Sequence, residues 1–387
     1  MSLQEISSFA AGHWVAPGAD ARLIENAVTG APMARAGNDA LDVMAMLDHA
    51  RDVGGPALRR LGFHDRARML KALAVELGKH KAALYDLSFA TGATQSDHLI
   101  DIDGGIGTLF VYASKAKALP DAHVMTEGSR EAISRGNFAG QHILAPLTGV
   151  AVHINAYNFP VWGMLEKLAP TLLAGMAIIV KPGHVGCYLT EAAFRIMIES
   201  GALPAGAVQL LLGNTGDLLD QLDGQDSVAF TGSAATAQKL KANPNIIANT
   251  VRFAAEQDSL NTSILGNDTT ADSPEFALFI KEVVREMTQK AGQKCTAIRR
   301  AMVPANLLDA AQDAIVTRLS KTTVGDPRDE ASRMGALAGL TQRSDVIANV
   351  KLLSKEASIV TGGEPLALGG ALDGGAFYAP TLLRCEN

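Results

Sequence analysis

The sequence predicts an α/β protein built on a parallel sheet. Between Gly149 and Ala242 short apolar runs alternate regularly with helical patterns, and the polar residues that stand out fall where an apolar run ends. Strand and helix in alternation make βαβ units, whose strands run parallel. In such sheets ligands collect beyond the carboxyl ends of the strands.

Residues 5–35 read as short strands and turns, with a turn at Thr29-Gly30. Helical periodicity covers 41–61, broken at Gly54-Gly55-Pro56. It returns over 65–87, with Leu70, Leu73, Leu77 and Leu84 along one face. Residues 101–107 read as a glycine-rich break, followed by a helix to about Lys117. Residues 121–147 are more polar and irregular and read as a small β excursion.

The regular half follows. Strands are predicted at 149–154, 176–181, 207–212 and 227–230, and helices at 160–174, 189–200, 217–222 and 234–242. The strand ends are Ile154-Asn155, Lys181-Pro182, Gly213 and Thr231-Gly232-Ser233. After Val251 a new segment begins. Glu256 ends an apolar strand. Ser273 and Pro274 then cap an amphipathic helix with Phe276, Phe279, Ile280, Val283, Val284 and Met287 on its buried face. Gly292 ends it, and Cys295 stands just beyond. A strand near 301–303 and a helix over 307–320 come next.

The chain has 387 residues, 48% hydrophobic and 19% charged, ordinary globular composition with length for two or three domains. A net charge of -6 without a basic block argues against nucleic acid or an anionic membrane as partner. Cys187, Cys295 and Cys385 are too few for a disulfide framework, which points to a reducing cytoplasm. The nine histidines show no metal-ligand spacing, so no metal is expected. No basic stretch with an apolar run opens the chain, so no signal peptide is expected. The longest apolar run, 168–180, is interrupted by Pro170 and Gly175 and is too short to span a bilayer.

Cys295 lies close in sequence to Lys290, Lys294, Arg299 and Arg300, and positive charge favours the nucleophilic thiolate. An inert buried cysteine is the competing reading. Phe230-Thr-Gly-Ser233 ends a strand and opens a helix, where N–H groups suit a phosphate; an ordinary capped helix start reads the same. The G-x-G-x-x-G fingerprint is absent, and Gly213-Asn-Thr-Gly216 does not fit it. Lys181 can hold ribose hydroxyls or phosphate, or simply snorkel. Asn158 can donate to an oxyanion, or serve a turn. Glu256 can act as a general base, or lie solvated on the surface.

Together these residues resemble the aldehyde dehydrogenase superfamily. Asn158-Phe-Pro, Lys181-Pro, Phe230-Thr-Gly-Ser233, Glu256 and Gly292-Gln-x-Cys295 stand in that family's order at about its spacing. Val152-His-Ile-Asn-Ala-Tyr-Asn-Phe-Pro160, Glu256-x-Asp-Ser-Leu-Asn261 and residues 281–300 are similar to the dehydrogenase domain of the PaaZ-like bifunctional enzymes of phenylacetate degradation. The semialdehyde dehydrogenases of benzoyl-CoA breakdown look similar too. The resemblance implies a Rossmann-type cofactor domain (1–120 and 148–255), a bridging and oligomerisation segment (121–147) and an α/β catalytic domain (256–387).

It also implies roles. Cys295 attacks an aldehyde, Asn158 and the Cys295 N–H hold the oxyanion, and Glu256 activates water to release an acid from a thioester. Ile154, Lys181, Gly183, His184, Gly213, Gly216, Phe230, Gly232 and Ser233 contact the nicotinamide cofactor. The family commonly places Glu where His184 stands. Without that acid a ribose 2′-phosphate is tolerated, so NADP is expected, with NAD possible. The implied substrate is a small aldehyde, CoA-linked, and the implied assembly a homo-oligomer built from dimers. The family's general E-L-G-G reads Glu256-Gln-Asp-Ser here, and the E-x-F-G-P motif is not reached by Asn387. Little or no activity is therefore expected of this chain by itself. A catalytically silent binding fold and a CoA-acylating dehydrogenase are the alternatives.

Overall fold

The computed structural model describes residues 3–19 and 21–385; Asn387, where the resemblance ends, lies outside them. The chain opens with strands β1 (Gln4–Glu5), β2 (Ser8–Ala10), β3 (His13–Val15), β4 (Arg22–Glu25) and β5 (Pro32–Ala36). Helices α1 (Val43–His49), α2 (Gly55–Arg59), α3 (Phe63–Lys79), α4 (Lys81–Ser88), α5 (Gln95–His98) and α6 (Gly104–Lys115) follow. Strands β6 (Met125–Ile133) and β7 (Phe138–Leu144) pair as an antiparallel hairpin. Then come β8 (Val150–Ile154), α7 (Trp162–Ala174), β9 (Ala177–Lys181), α8 (Cys187–Glu199), β10 (Val208–Leu210), β11 (Ser227–Gly232), α9 (Ala234–Lys241), α10 (Pro244–Ala248) and β12 (Arg252–Gln257). The last part holds β13 (Asn261–Ile264), α11 (Pro274–Thr288), β14 (Ile298–Met302), α12 (Leu308–Leu319), α13 (Leu340–Leu353), β15 (Ala357–Thr361) and β16 (Leu382–Cys385).

The main sheet has seven strands in the order β12-β11-β8-β9-β10-β2-β3. The first five are mutually parallel, and β2 joins β10 antiparallel at Leu210 and Phe9. Strands β8, β9 and β10 advance one way from β8, whereas β11 and β12 advance the other. Right-handed crossovers then place α7 and α8 on one face and α9 on the opposite face. The order reverses between β8 and β11, and the crevice above such a reversal is where an open α/β sheet binds ligands.

The apolar runs read as strands are buried on both faces. Val150, Val152, Ile178, Ile179 and Val180 are all at or near zero exposure, as parallel strands covered by helices must be. A second apolar cluster joins Phe276, Phe279, Ile280, Val283 and Val284 of α11 to Ala311, Ile315 and Leu319 of α12. The start of α11 is as the sequence indicates: Ser273 Oγ accepts from the Phe276 N–H at 3.2 Å, and Pro274 fills the first turn.

Two predicted breaks are corrected. Residues 101–107 continue a helix: one π-turn, Leu99–Asp103, runs straight into α6. Glycine is needed there for contact, since a Cβ on Gly105 would stand 3.0 Å from the Trp162 Cα. Gly54-Gly55-Pro56 is likewise no break, because a π-turn, Ala50–Gly54, passes directly into α2. A Cβ on Gly54 would meet the Gly206 carbonyl oxygen at 1.9 Å.

Candidate active site

Cys295 follows α11 after a short left-handed passage. Lys290, Ala291 and Gly292 have φ of 55°, 51° and 72°. For the two non-glycine residues this conformation costs roughly 1–2 kcal/mol each. Tertiary bonds hold it: Asp97 Oδ1 accepts from the Lys290 N–H at 2.8 Å, and Arg299 donates to the Gly292 carbonyl at 2.7 Å. The thiol is exposed.

The parallel register carries Glu256 to the same place. It stands near the end of β12, opposite Thr231 of β11, and its carboxylate raises the pKa of the Cys295 thiol. Asn158 lies in the loop between β8 and α7, and its Nδ2 donates to the Gln293 carbonyl at 2.8 Å. An amide has two N–H donors, so one stays available to an oxyanion. Asn158 is thereby tied to the Cys295 loop, and Glu256 acts on the thiol of that loop.

The charge reading at Cys295 is overturned. Burial, then Glu256, then Glu166 raise the thiol's pKa above its ordinary value. The nearby cations are engaged elsewhere. Lys294 Nζ lies 2.7 Å from Glu286 and 2.7 Å from Gln289 Oε1, and Arg299 is bound to main-chain carbonyls. Proximity in sequence did not place these charges beside the sulfur.

Beside the site is a cleft of about 550 Å³, walled by Tyr112, Trp162, Glu166 and Lys167 on one side and Thr231 and Glu256 on the other. The residues expected at the cofactor lie along the strand ends. Ile154 and Phe230 are buried. Lys181 Nζ donates to the Pro182 carbonyl at 3.1 Å, and burial lowers its pKa. Gly183 backs onto Tyr157, whose Cα would be 2.9 Å from a Cβ there. His184 Nε2 donates to the Leu23 carbonyl at 3.0 Å, and burial lowers its pKa, leaving the ring uncharged at neutral pH. Gly213 and Gly216 adopt φ of 89° and 53° in the loop after β10, beside Asn38. Gly232 turns toward the Phe230 ring, and Ser233 Oγ caps α9 by accepting from the Thr236 N–H at 3.2 Å. One N–H at that helix start, Ala234, already donates to Asp258 Oδ1 at 3.1 Å.

The region nonetheless fits a dinucleotide. Among the described residues the buried Asn155 amide and Thr231 Oγ1 have no partner, and both lie at strand ends flanking the sheet's reversal. Buried polar groups are ordinarily hydrogen-bonded, so these are suited to a ligand.

Sequence reasoning missed the supports. Asn261 Nδ2 donates to the Cys295 carbonyl at 2.6 Å and to the Ala297 carbonyl at 3.1 Å. Asp101 Oδ1 accepts from the Val161 and Trp162 N–H groups at 3.1 and 2.8 Å, fixing the start of α7. Asp97 had a readable signal, since Thr94-x-x-Asp97 is a capping box. So did Glu166-Lys167, two charges inside an otherwise apolar helix.

A thiol, a carboxylate and an amide thus stand beyond the carboxyl ends of a parallel sheet. The chain belongs to the aldehyde dehydrogenase family, whose pattern matches residues 14–387. The 3,4-dehydroadipyl-CoA semialdehyde dehydrogenase of Aromatoleum evansii is 41% identical over 389 residues, 99% of this chain and 75% of that protein. Two solved structures share the fold. Betaine aldehyde dehydrogenase of Staphylococcus aureus, in complex with NAD+, gives a TM-score of 0.85 at 22% identity over 98% of this chain and 74% of its own. PnpE of Pseudomonas sp. WBC-3 gives 0.84 at 22% identity over 99% and 76%. Among the described residues no helix is long and apolar enough to cross a membrane.

Proposed function

We propose that this chain carries out the NAD(P)-dependent oxidation of an aldehyde to a carboxylic acid through Cys295. The observation that carries the reading is the exposed thiol within the field of the Glu256 carboxylate, with the Asn158 amide bound two residues upstream in the same loop. Glu256 takes the thiol proton as sulfur attacks the carbonyl carbon. Asn158 Nδ2 and the Cys295 N–H stabilise the developing oxyanion of the thiohemiacetal. When bound along Ile154, Lys181, Gly183, His184, Gly213, Gly216, Phe230, Gly232 and Ser233, the cofactor supplies the hydride acceptor. Glu256 then releases the first proton to solvent, and as a carboxylate again it deprotonates the water that hydrolyses the thioester on Cys295. A carboxylate in that position favours a free acid over transfer to CoA.

Family membership and the 41% identical relative, named for a CoA-linked semialdehyde, support a substrate of that class from aromatic catabolism. The narrower resemblance adds phenylacetate degradation. NADP is preferred in this reading: no carboxylate stands at position 184, and the charges of Arg22 and Lys181 reach His184. Residues 1–120 with 148–255 form the cofactor domain, 121–147 the bridge and 256–387 the catalytic part; one apolar cluster confined to residues 6–251 supports that division, while Ala27 and Val28 pack across it with Ala336, Leu337 and Phe377. Exposed Ile133, Phe138 and Ile143 on the β6–β7 hairpin support assembly into homo-oligomers built from dimers. A cytoplasmic location goes with the free cysteines.

The test adds NADP or NAD and a simple aldehyde to the protein and to its Cys295→Ala variant. Nicotinamide reduction that is lost in the variant and faster with NADP is the outcome this reading requires, and it would overturn the expectation of little or no activity from this chain by itself. Glu256→Gln should accumulate a thioester on Cys295, visible as a mass increase. Reduction that survives Cys295→Ala would sink the mechanism; turnover with NAD equal to or better than NADP would sink the preference.

A further inference from the structure

The cleft holds a charge pair that the chemistry above does not use. Glu166 and Lys167 sit on α7 between the buried Met164-Leu165 and Leu168-Ala169. Glu166 Oε1 and Lys167 Nζ are 2.9 Å apart, with side chains 37% and 14% exposed. Both side chains line the cleft, and the carboxylate is the more exposed of the two. Their fields differ accordingly: Glu166 acts on the Cys295 thiol, whereas Lys167 acts on the buried His153. Glu256, across the cleft, is also acidic. Lys294 and Arg299, the nearest cations on the cysteine's own loop, are bound to Glu286, Gln289 and main-chain carbonyls and do not offset Glu166.

We propose that Glu166 is a specificity-determining residue that turns away aldehydes carrying a carboxylate within the cleft. It reserves the thiol for aldehydes whose near carbons are uncharged and whose anionic groups, if any, stay outside. This rests on the proposed aldehyde oxidation at Cys295 and narrows its substrate class. A short semialdehyde with a free terminal carboxylate brings its charge into the cleft that Glu166 and Glu256 line. A semialdehyde esterified at its far end through sulfur brings no such charge, and its phosphates lie well beyond the cleft. Repulsion between two like charges a few ångströms apart in partly solvated surroundings is worth on the order of tenfold in rate. Discrimination by an unfavourable contact is a general route to specificity.

The experiment compares butanal with succinic semialdehyde, matched in chain length, in the presence of NADP. The ratio of kcat/KM for the two is measured in the wild-type protein, Glu166→Gln and Glu166→Asp. The preference for butanal should fall about tenfold in Glu166→Gln and persist in Glu166→Asp, which keeps the charge. An unchanged ratio in Glu166→Gln overturns the proposal. A second readout needs no turnover: alkylation of Cys295 by neutral iodoacetamide against anionic iodoacetate, followed by peptide mass spectrometry so that Cys187 and Cys385 do not interfere. That rate ratio should fall about fivefold in Glu166→Gln, and constancy again overturns the proposal. Glu166→Met replaces the amide variant if the latter does not fold. If wild-type protein oxidises neither aldehyde, the proposed function fails, while the alkylation ratio still decides the role of Glu166.

Discussion

Around the Cys295 sulfur the charges that count are negative, and this sets how the thiol is activated. Burial, Glu256 and Glu166 raise its pKa, so at neutral pH it is protonated and depends on Glu256 to remove the proton. Thiolate is the reactive form. Alkylation of Cys295 should therefore climb with pH through the alkaline range, above the ordinary cysteine midpoint. Glu256→Gln removes a like charge, so the alkylation midpoint should move to lower pH even as turnover is lost. A midpoint that stays or rises would refute this electrostatic account. Asn261 tests a different contribution. Its amide holds the carbonyls of Cys295 and Ala297, and Asn261→Ala frees both. Losing such bonds costs roughly 1–3 kcal/mol. A fall of about ten- to a hundredfold in kcat/KM is expected, and wild-type kinetics would show that the loop holds itself.

At the level of elements, the stretch formed by α5 and the π-turn after it ties the two halves of the site together. Asp97 holds the cysteine loop through Lys290, and Asp101 holds the start of α7, just past Asn158. Asp101 is fully buried, with its pKa pushed up to about 6. Asparagine keeps the acceptor without the buried charge, so Asp101→Asn should unfold near the wild-type urea midpoint. Asp101→Ala leaves two N–H groups without an acceptor and should lose about 1–2 kcal/mol. Equal midpoints for the two variants would remove Asp101 from this role. Apart from the Thr94-x-x-Asp97 capping box, this stretch was not legible as written. Gly104 and Gly105 look like punctuation, whereas they serve helix contact: a Cβ on Gly105 would crowd Trp162. The parallel strands were legible because burial on both faces makes them continuous apolar runs. The addition of β2 to β10 was not, since Phe9 and Leu210 pair across about half the chain and nothing local records it. Cys295, Glu256 and Asn158 could be found in the sequence, but the sign of the field around them could not. It depends on where Lys294 and Arg299 point.

Across the whole molecule, buried titratable groups set the response to acid. His98 and His153 are both buried and uncharged, with pKa values lowered to about 4 and about 3, mainly by desolvation. In the unfolded chain each takes up a proton near its ordinary value of 6.5. Their contribution to stability is therefore complete above pH 6.5 and is lost as pH falls towards the folded values. Asp101 works the other way. Its folded pKa of about 6 exceeds the ordinary 3.8, so its contribution is complete below 3.8 and is lost as pH rises through about 6. Between about pH 6 and pH 4 two histidines oppose one aspartate, and the unfolded chain binds the larger number of protons. From these groups stability should fall on acidification by roughly 1 kcal/mol per pH unit. His153 donates from Nε2 to Thr171 Oγ1 at 3.2 Å, a bond that a glutamine amide can replace. In His153→Gln one of the two histidine protons is gone and the aspartate balances the other, so the urea midpoint should become nearly flat across that window. A midpoint that falls as steeply with acid in the variant as in the wild type would show that His153 is not a source of the acid sensitivity.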